Sequence, residues 1–128
     1  MIKIRLTSIL VNDQARALHF YTEILGFVKV LDLPAGEYRW LTVAPPDELD
    51  GVQLSLEPNV HPAARTYQAA LYADGIPATA FAVDDLDAEG ARLTGLGVAV
   101  TRPPAMEGVP PIALFDDTCG NLIQLYQV

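Results

Sequence analysis

An internal repeat constrains this chain more than any other feature. Laying Val52-Gln53-Leu54 over Ile123-Gln124-Leu125 gives an offset of 124 − 53 = 71 residues. Val11-Asn12-Asp13 opens an apolar-periodic segment that closes at Leu25-Gly26, and Val83-Asp84-Asp85 opens a second that closes at Leu96-Gly97. Those offsets are 83 − 11 = 72 and 97 − 26 = 71. Thr7 and Thr79 each stand four residues before their valine. Two copies are too few for a solenoid, so the chain reads as a paired-module domain. The modules span about 1–58 and 76–128, joined by a linker over 59–75, within one domain of 128 residues.

Composition narrows the class of protein. With 51% hydrophobic and 19% charged residues, the chain has the material for a packed core and is not disordered. No apolar run approaches the roughly 20 residues of a membrane span, so no membrane partner is expected. Met1-Ile2-Lys3-Ile4-Arg5-Leu6 lacks the features of a signal peptide, which leaves the cytoplasm as the expected compartment. The single cysteine, Cys119, allows neither an intrachain disulfide nor a cysteine metal cluster. A net charge of −8 argues against nucleic acid, whose phosphates require Lys and Arg, and permits a cationic ligand.

Each half reads strand, helix, strand, strand, strand. In the first, residues 2–11 alternate as a strand, and Asp13 caps a helix with Ala17, Leu18, Tyr21, Ile24 and Leu25 at helical spacing, stopped by Gly26. Strands follow over 27–33, 38–44 and 52–57, separated by the turn Pro34-Ala35-Gly36 and an acidic loop over 46–51. The linker has helical periodicity over 62–73 and ends at Gly75. The second half gives a strand over 77–83, a helix over 86–96, and strands over 98–102, 112–115 and 121–127. A proline-rich loop over 103–111 is long enough to serve as a flap.

Strand alternation assigns the faces. In Val52-Gln53-Leu54-Ser55-Leu56-Glu57 the even positions are apolar and pack under the helices, leaving Gln53, Ser55 and Glu57 on the other face. By the offset, Gln124 joins that face with Leu122 and Tyr126. Matching Thr7 to Thr79 adds Ser8, Leu10, Ala78, Ala80 and Ala82. Three alanines on a curved sheet leave a hollow, so this face is the expected ligand cleft. Parity does not fix the side of Tyr38 and Trp40; Trp40 is a candidate stacking platform.

His19-Phe20-Tyr21-Thr22-Glu23-Ile24-Leu25-Gly26-Phe27 resembles the F-Y-x-x-x-L-G-F helix end of the vicinal oxygen chelate superfamily, which holds glyoxalase I, extradiol dioxygenases and bleomycin-resistance proteins. Phe115-Asp116-Asp117-Thr118-Cys119-Gly120-Asn121-Leu122-Ile123 is similar to its F-x-D-P-x-G-N-x-x-E turn and last strand. The resemblance covers essentially the whole chain. It implies an α+β fold of two paired βαβββ modules, forming a cupped mixed sheet with helices on the outer face. It also implies a homodimer, whose two-fold interface could complete the cup. The motifs specify a fold and not an activity.

The family's enzymes place His or Glu metal ligands at four positions, which by this resemblance fall here on Leu6, Gln53, Ala78 and Gln124. None is His, Asp or Glu, and two neutral amides are weak ligands for a divalent transition metal. No metal and no cofactor is therefore expected. His19 reads as a helix histidine and His61 as a linker residue without a ligand partner. Cys119 has no adjacent His to activate it. Asp47-Glu48-Leu49-Asp50 and Asp84-Asp85 read as a solvated loop and a helix start.

The ligand-binding set is then Ser8, Leu10, Trp40, Gln53, Ser55, Glu57, Ala80, Gln124 and Tyr126, with Glu57 the one candidate general base or cation partner. The first reading is a metal-independent binder of a small cationic or aromatic molecule, as bleomycin-resistance resemblance implies. The alternatives are a glyoxalase- or dioxygenase-type enzyme with relocated ligands, and a module whose sheet face is covered by a protein partner.

Overall fold

The computed structural model describes residues 1–128. The first half contains β1 (Leu6–Val11), α1 (Gln14–His19) running into a π-helical turn (Phe20–Ile24), β2 (Val28–Ala35), β3 (Tyr38–Ala44) and β4 (Gln53–Pro58). The linker forms α2 (Pro62–Ala73). The second half contains β5 (Thr79–Val83), α3 (Leu86–Gly95), β6 (Val100–Thr101), β7 (Ile112–Asp116) and β8 (Leu122–Gln127).

The same strand order recurs in both halves: β1-β4-β3-β2 in one sheet and β5-β8-β7-β6 in the other. In each, the first strand pairs in parallel with the last, and the remaining pairs are antiparallel. The α+β fold and the βαβββ order agree with the expectation from sequence. The single mixed sheet divides into two of four strands, because β1 and β5 share no ladder.

Local chemistry sets the element ends. Asp13 and Asp85 occupy equivalent N-caps, their carboxylates accepting from Arg16 N and Ala88 N, each at 3.0 Å. Gly26 (φ +90°) and Gly97 (φ +87°) supply the left-handed turns after the two helices. The expected first helix is α-helical only to His19. Its wider continuation buries two successive rings, Phe20 and Tyr21, while the Thr22 hydroxyl bonds back to Leu18 O at 2.6 Å.

Two expected strands are shorter than their patterns suggested. Residues 2–5 lie outside β1, since β4 begins only at Gln53, and Ile2 and Ile4 are left exposed. The 98–102 strand reduces to Val100–Thr101, because Pro103 and Pro104 bring no N–H to a ladder.

Sixteen buried residues form one apolar cluster drawn from both halves, including Ile9, Leu41, Val43, Leu54 and Leu56 from the first and Phe115, Ile123 and Leu125 from the second. Helix α1 reaches across: the Phe20 ring lies 6.0 Å from Phe115, and Tyr21 meets Phe81 edge-on at 6.4 Å. With the undersides of both sheets joined in one core, their opposite faces are left open.

Candidate functional site

Strand register assembles the open face. Leu6, Ser8 and Leu10 stand opposite Gln53, Ser55 and Glu57 on the paired strands β1 and β4. Thr42 stands opposite Ser55, and Leu33 opposite Trp40. Parity along β3 therefore brings both Trp40 and Tyr38 to this face, while Leu41 and Val43 enter the core. In the second sheet Ala80 opposes Gln124 and Ala82 opposes Tyr126, with Leu114 and Ile112 beyond.

The polar groups of the first sheet are knit together. Thr42 Oγ1 donates to Gln53 Oε1 at 2.7 Å and accepts from Leu31 N at 3.1 Å. Ser55 Oγ donates to Glu57 Oε1 at 2.6 Å, and Ser55 is buried at the bottom of the face, not displayed on it. Gln53 keeps its amide N–H groups and Glu57 one carboxylate oxygen for an incoming group. Helix α1 buttresses this floor: Gln14 receives Arg39 N at 3.0 Å and donates to Arg39 O and Leu56 O at 2.7 and 2.9 Å, bridging β3 and β4 where their ladder has ended. The second sheet differs. Half-buried Gln124 makes no side-chain hydrogen bond, Ala80 and Ala82 are exposed beside it, and Tyr126 is exposed near the strand end.

Register also corrects the repeat. Val11 pairs with Pro58 and its counterpart Val83 with Gln127, so residues of the last strands correspond at 127 − 58 = 69, not at 71. Ser55, not Gln53, is then the counterpart of Gln124. Both offsets are odd, so every face assignment survives. The positions that the resemblance matches to metal ligands become Leu6, Ser55, Ala78 and Gln124, which offer a hydroxyl and an amide in place of charged or imidazole donors. These residues do not fit a divalent metal, and nowhere do three His, Cys, Asp or Glu groups converge in a way that could hold one.

The two halves are joined at a buried polar seam. The Asp117 carboxylate receives Tyr21 Oη at 2.7 Å, Cys119 N at 2.8 Å, and Asn121 N and Nδ2 at 3.1 and 2.8 Å. Burial, reinforced by this carboxylate, holds the Tyr21 hydroxyl protonated far above its ordinary range. Asn121 Nδ2 also donates to Leu10 O at 2.7 Å, tying β1 to the turn before β8. Gln68 of α2 completes the junction, donating to Leu10 O, Cys119 O and Asn121 Oδ1 at 2.9 to 3.2 Å and receiving Asn59 Nδ2 at 2.7 Å. Gly120 is required beneath it: a Cβ there would lie 2.8 Å from Gln68 Nε2. Thr118 adopts φ +66° and donates its N–H to Asp116 Oδ1, neither of which the proline of the family pattern could do.

The remaining candidates are accounted for. His19 is exposed, and His61 Nδ1 accepts from Ala63 N as the N-cap of α2. Cys119 is buried, and burial beside Asp117 raises its thiol to about 12, which makes it a poor nucleophile. Two cavities stand out, and only the smaller borders the seam. One of about 180 Å³ lies between α2, β1 and the starts of β5 and β8. The larger, about 720 Å³, opens on the helix side over Phe27, Phe81 and Leu125, and Asp47, Glu48, Asp84 and Asp85 stand on its rim. The two acidic segments, far apart in sequence, thus share one groove away from the open face.

A family model described as Glyoxalase/Bleomycin resistance protein/Dioxygenase superfamily matches residues 3–125. The chain belongs to this superfamily. It is 54% identical over 125 residues to the uncharacterized protein YurT of Bacillus subtilis (strain 168), covering 98% of each chain. The crystal structure of UcmS2 superposes with a TM-score of 0.81 at 30% identity, covering 98% of both chains. TnmS3, an antibiotic binding protein from Streptomyces sp. CB03234, superposes with a TM-score of 0.76 at 33% identity, over 99% of this chain and 96% of that one.

Thr42, Gln14 and Gln68 were not singled out in sequence. Thr42 follows from Trp40 by strand parity once the side of either is known. Gln14 and Gln68 act across long sequence separations, and neither sits in a pattern that announces it.

Proposed function

We propose that this protein binds a small aromatic or cationic molecule on the open sheet face without a metal, and that a two-fold homodimer completes the site. The donor set carries this reading. At the four positions where the superfamily's enzymes chelate, this chain has Leu6, Ser55, Ala78 and Gln124, while the surrounding face keeps groups suited to ligand contact. Gln124 and Gln53 would orient a polar group, Trp40 would stack, and Glu57 would favour positive charge. The likeness to an antibiotic binding protein supports a sequestering role over turnover. The exposure of Leu6, Leu33 and Trp40, each close to one half, supports a second copy over the face.

Metal analysis joined to ligand titration tests the reading. Purified protein should contain no stoichiometric zinc, nickel, manganese or iron. Trp40, the chain's one tryptophan, should report saturable binding from a panel of aromatic and cationic antibiotics, and Ala80→Phe should abolish it without loss of fold. A metal that stabilises the protein by about 2.7 kcal/mol at 100 times its dissociation constant would overturn the proposal. Gel filtration at micromolar concentration showing only a 13.8 kDa species would remove the dimer.

A further inference from the structure

The cavity of about 180 Å³ at the seam is built by three parts of the chain. Ser8 and Leu10 come from β1, Ala78 and Leu122 from the beginnings of β5 and β8, and Tyr67, Leu71 and Tyr72 from α2. Ser8, Leu10 and Leu122 belong by register to the open face, and Ala78 leads into β5 with its N–H on Leu122 O. Ile9 borders the pocket from the core side, so the pocket marks where the two modules meet. Helix α2 belongs to neither module, and it supplies the wall that the sheets lack.

Three observations define what fits there. Size comes first: an apolar cavity of about 150 Å³ is enough to take up benzene, so this one matches a single six-membered ring with a small substituent. Chemistry comes second. None of the twelve lining residues is charged and eight are hydrophobic, in contrast to the acid-rimmed groove on the helix side. A charged ring would lose hydration without compensation. Preorganisation comes third. Gln68 beneath the pocket is fixed by its bonds to Leu10, Cys119, Asn121 and Asn59, and the Tyr72 hydroxyl is tied to the Asp116 carboxylate. Floor and wall are set before a ligand arrives, so little ordering accompanies binding. The exposed Ser8 hydroxyl and the Tyr67 hydroxyl have no partner in the chain and remain for a polar substituent at the mouth.

We propose that this seam pocket binds one neutral aromatic ring, with α2 acting as the specificity wall of the ligand site. The proposal rests on the open face being a ligand surface, and it assigns the aromatic end of that ligand to the junction of the modules. It places Tyr67 and Tyr72, neither on a sheet, among the residues that choose the ligand.

Phenol is the probe, followed by ¹⁵N–¹H NMR, with cyclohexylammonium as a charged ring of like size. Phenol should shift the amides of Leu71, Ala78, Gly120 and Asn121 saturably, and cyclohexylammonium should not. Ala78→Leu, at an exposed position, should fill the pocket and weaken phenol at least tenfold. Tyr67→Ala, also exposed, should weaken it several-fold, while Ala91→Ser on α3, outside both the pocket and the open face, should leave it unchanged. Absence of saturable shifts overturns the proposal, as does phenol binding unaffected by Ala78→Leu, or equal binding of the charged ring. Shifts confined to Trp40, Gln53 and Gln124 would overturn the seam pocket while upholding the open face as the ligand surface. Loss of antibiotic binding on Ala80→Phe together with an empty seam would do the same.

Discussion

Gln68 and Gln124 are the same side chain in two settings. Gln68 is 7% exposed and has every polar atom engaged across the junction of the modules. Gln124 is half-buried on the open face with no side-chain partner. Asp117 and Glu57 repeat the contrast: four donors surround the first carboxylate, and Ser55 alone holds the second. A buried polar group left unmatched is costly, so the seam is complete; a group half in water can stay unmatched and wait for a ligand. Substitutions should therefore divide cleanly, with seam changes altering stability and face changes altering binding.

The sharpest test of that division is Asp117→Ala. It would orphan Tyr21 Oη, Cys119 N and Asn121 N in a site without solvent access, and leave Asn121 Nδ2 with Leu10 O alone. Each unmatched donor costs about 1–3 kcal/mol, so a loss of about 4 kcal/mol or more is expected in urea unfolding. Tyr21→Phe is milder. It removes one donor to a carboxylate that keeps three others, and about 2 kcal/mol should be lost. A loss below about 0.5 kcal/mol in either variant would mean that the seam does not hold the halves together.

Much of this division could be read in the sequence, and the limits have physical causes. The repeat gave two matching halves of strand, helix, strand, strand and strand, and strand parity put Ser8, Gln53, Glu57, Ala80 and Gln124 on one face, as the register does. Parity is indifferent to shifts of two residues, which is why the offset error of 71 against 69 left every face right and yet mispaired Gln53 with Gln124. The side of Trp40 was out of reach because the β2–β3 turn sets no parity relative to β4. That turn lies at Gly36-Glu37, with the expected turn residues Pro34 and Ala35 extending β2 to pair with Arg39 and Tyr38. The seam was hidden for another reason. Tyr21–Asp117 and Gln68–Leu10 join residues 96 and 58 positions apart, and no local pattern encodes such pairs.

Alkaline pH gives a graded probe of the seam. Burial raises the Cys119 thiol from an ordinary value near 9 to about 12 and raises Tyr21 as well. Groups whose protonation is favoured by folding stabilise fully below their unfolded pKa and lose that contribution as pH rises toward the folded value. Stability should thus fall between about pH 9 and 12, with each fully titrating group contributing up to about 1.4 kcal/mol per pH unit. Cys119→Ala should flatten the decline seen in urea midpoints at pH 8 and 10.5. An unchanged slope would show that other groups govern the alkaline limb.

The smallest expected stability change belongs to the open face. Trp40 is 50% exposed on β3 beside Leu33, and its ring makes none of the close aromatic contacts that tie Phe20, Tyr21, Phe27, Phe81 and Phe115 together. Trp40→Ala should therefore cost about 0.5 kcal/mol or less in a monomer, the range of ordinary surface substitutions. Binding of an aromatic ligand should nonetheless weaken at least tenfold through loss of the stacking surface, measured by calorimetry since the fluorophore is gone. If a second copy covers this face, the variant will also lower the thermal midpoint and make it less dependent on protein concentration, because association and stability are linked by mass action. A large concentration-independent loss of stability would instead place Trp40 with the seam as a residue that holds the fold, and the division between the two regions would fail at its most exposed aromatic.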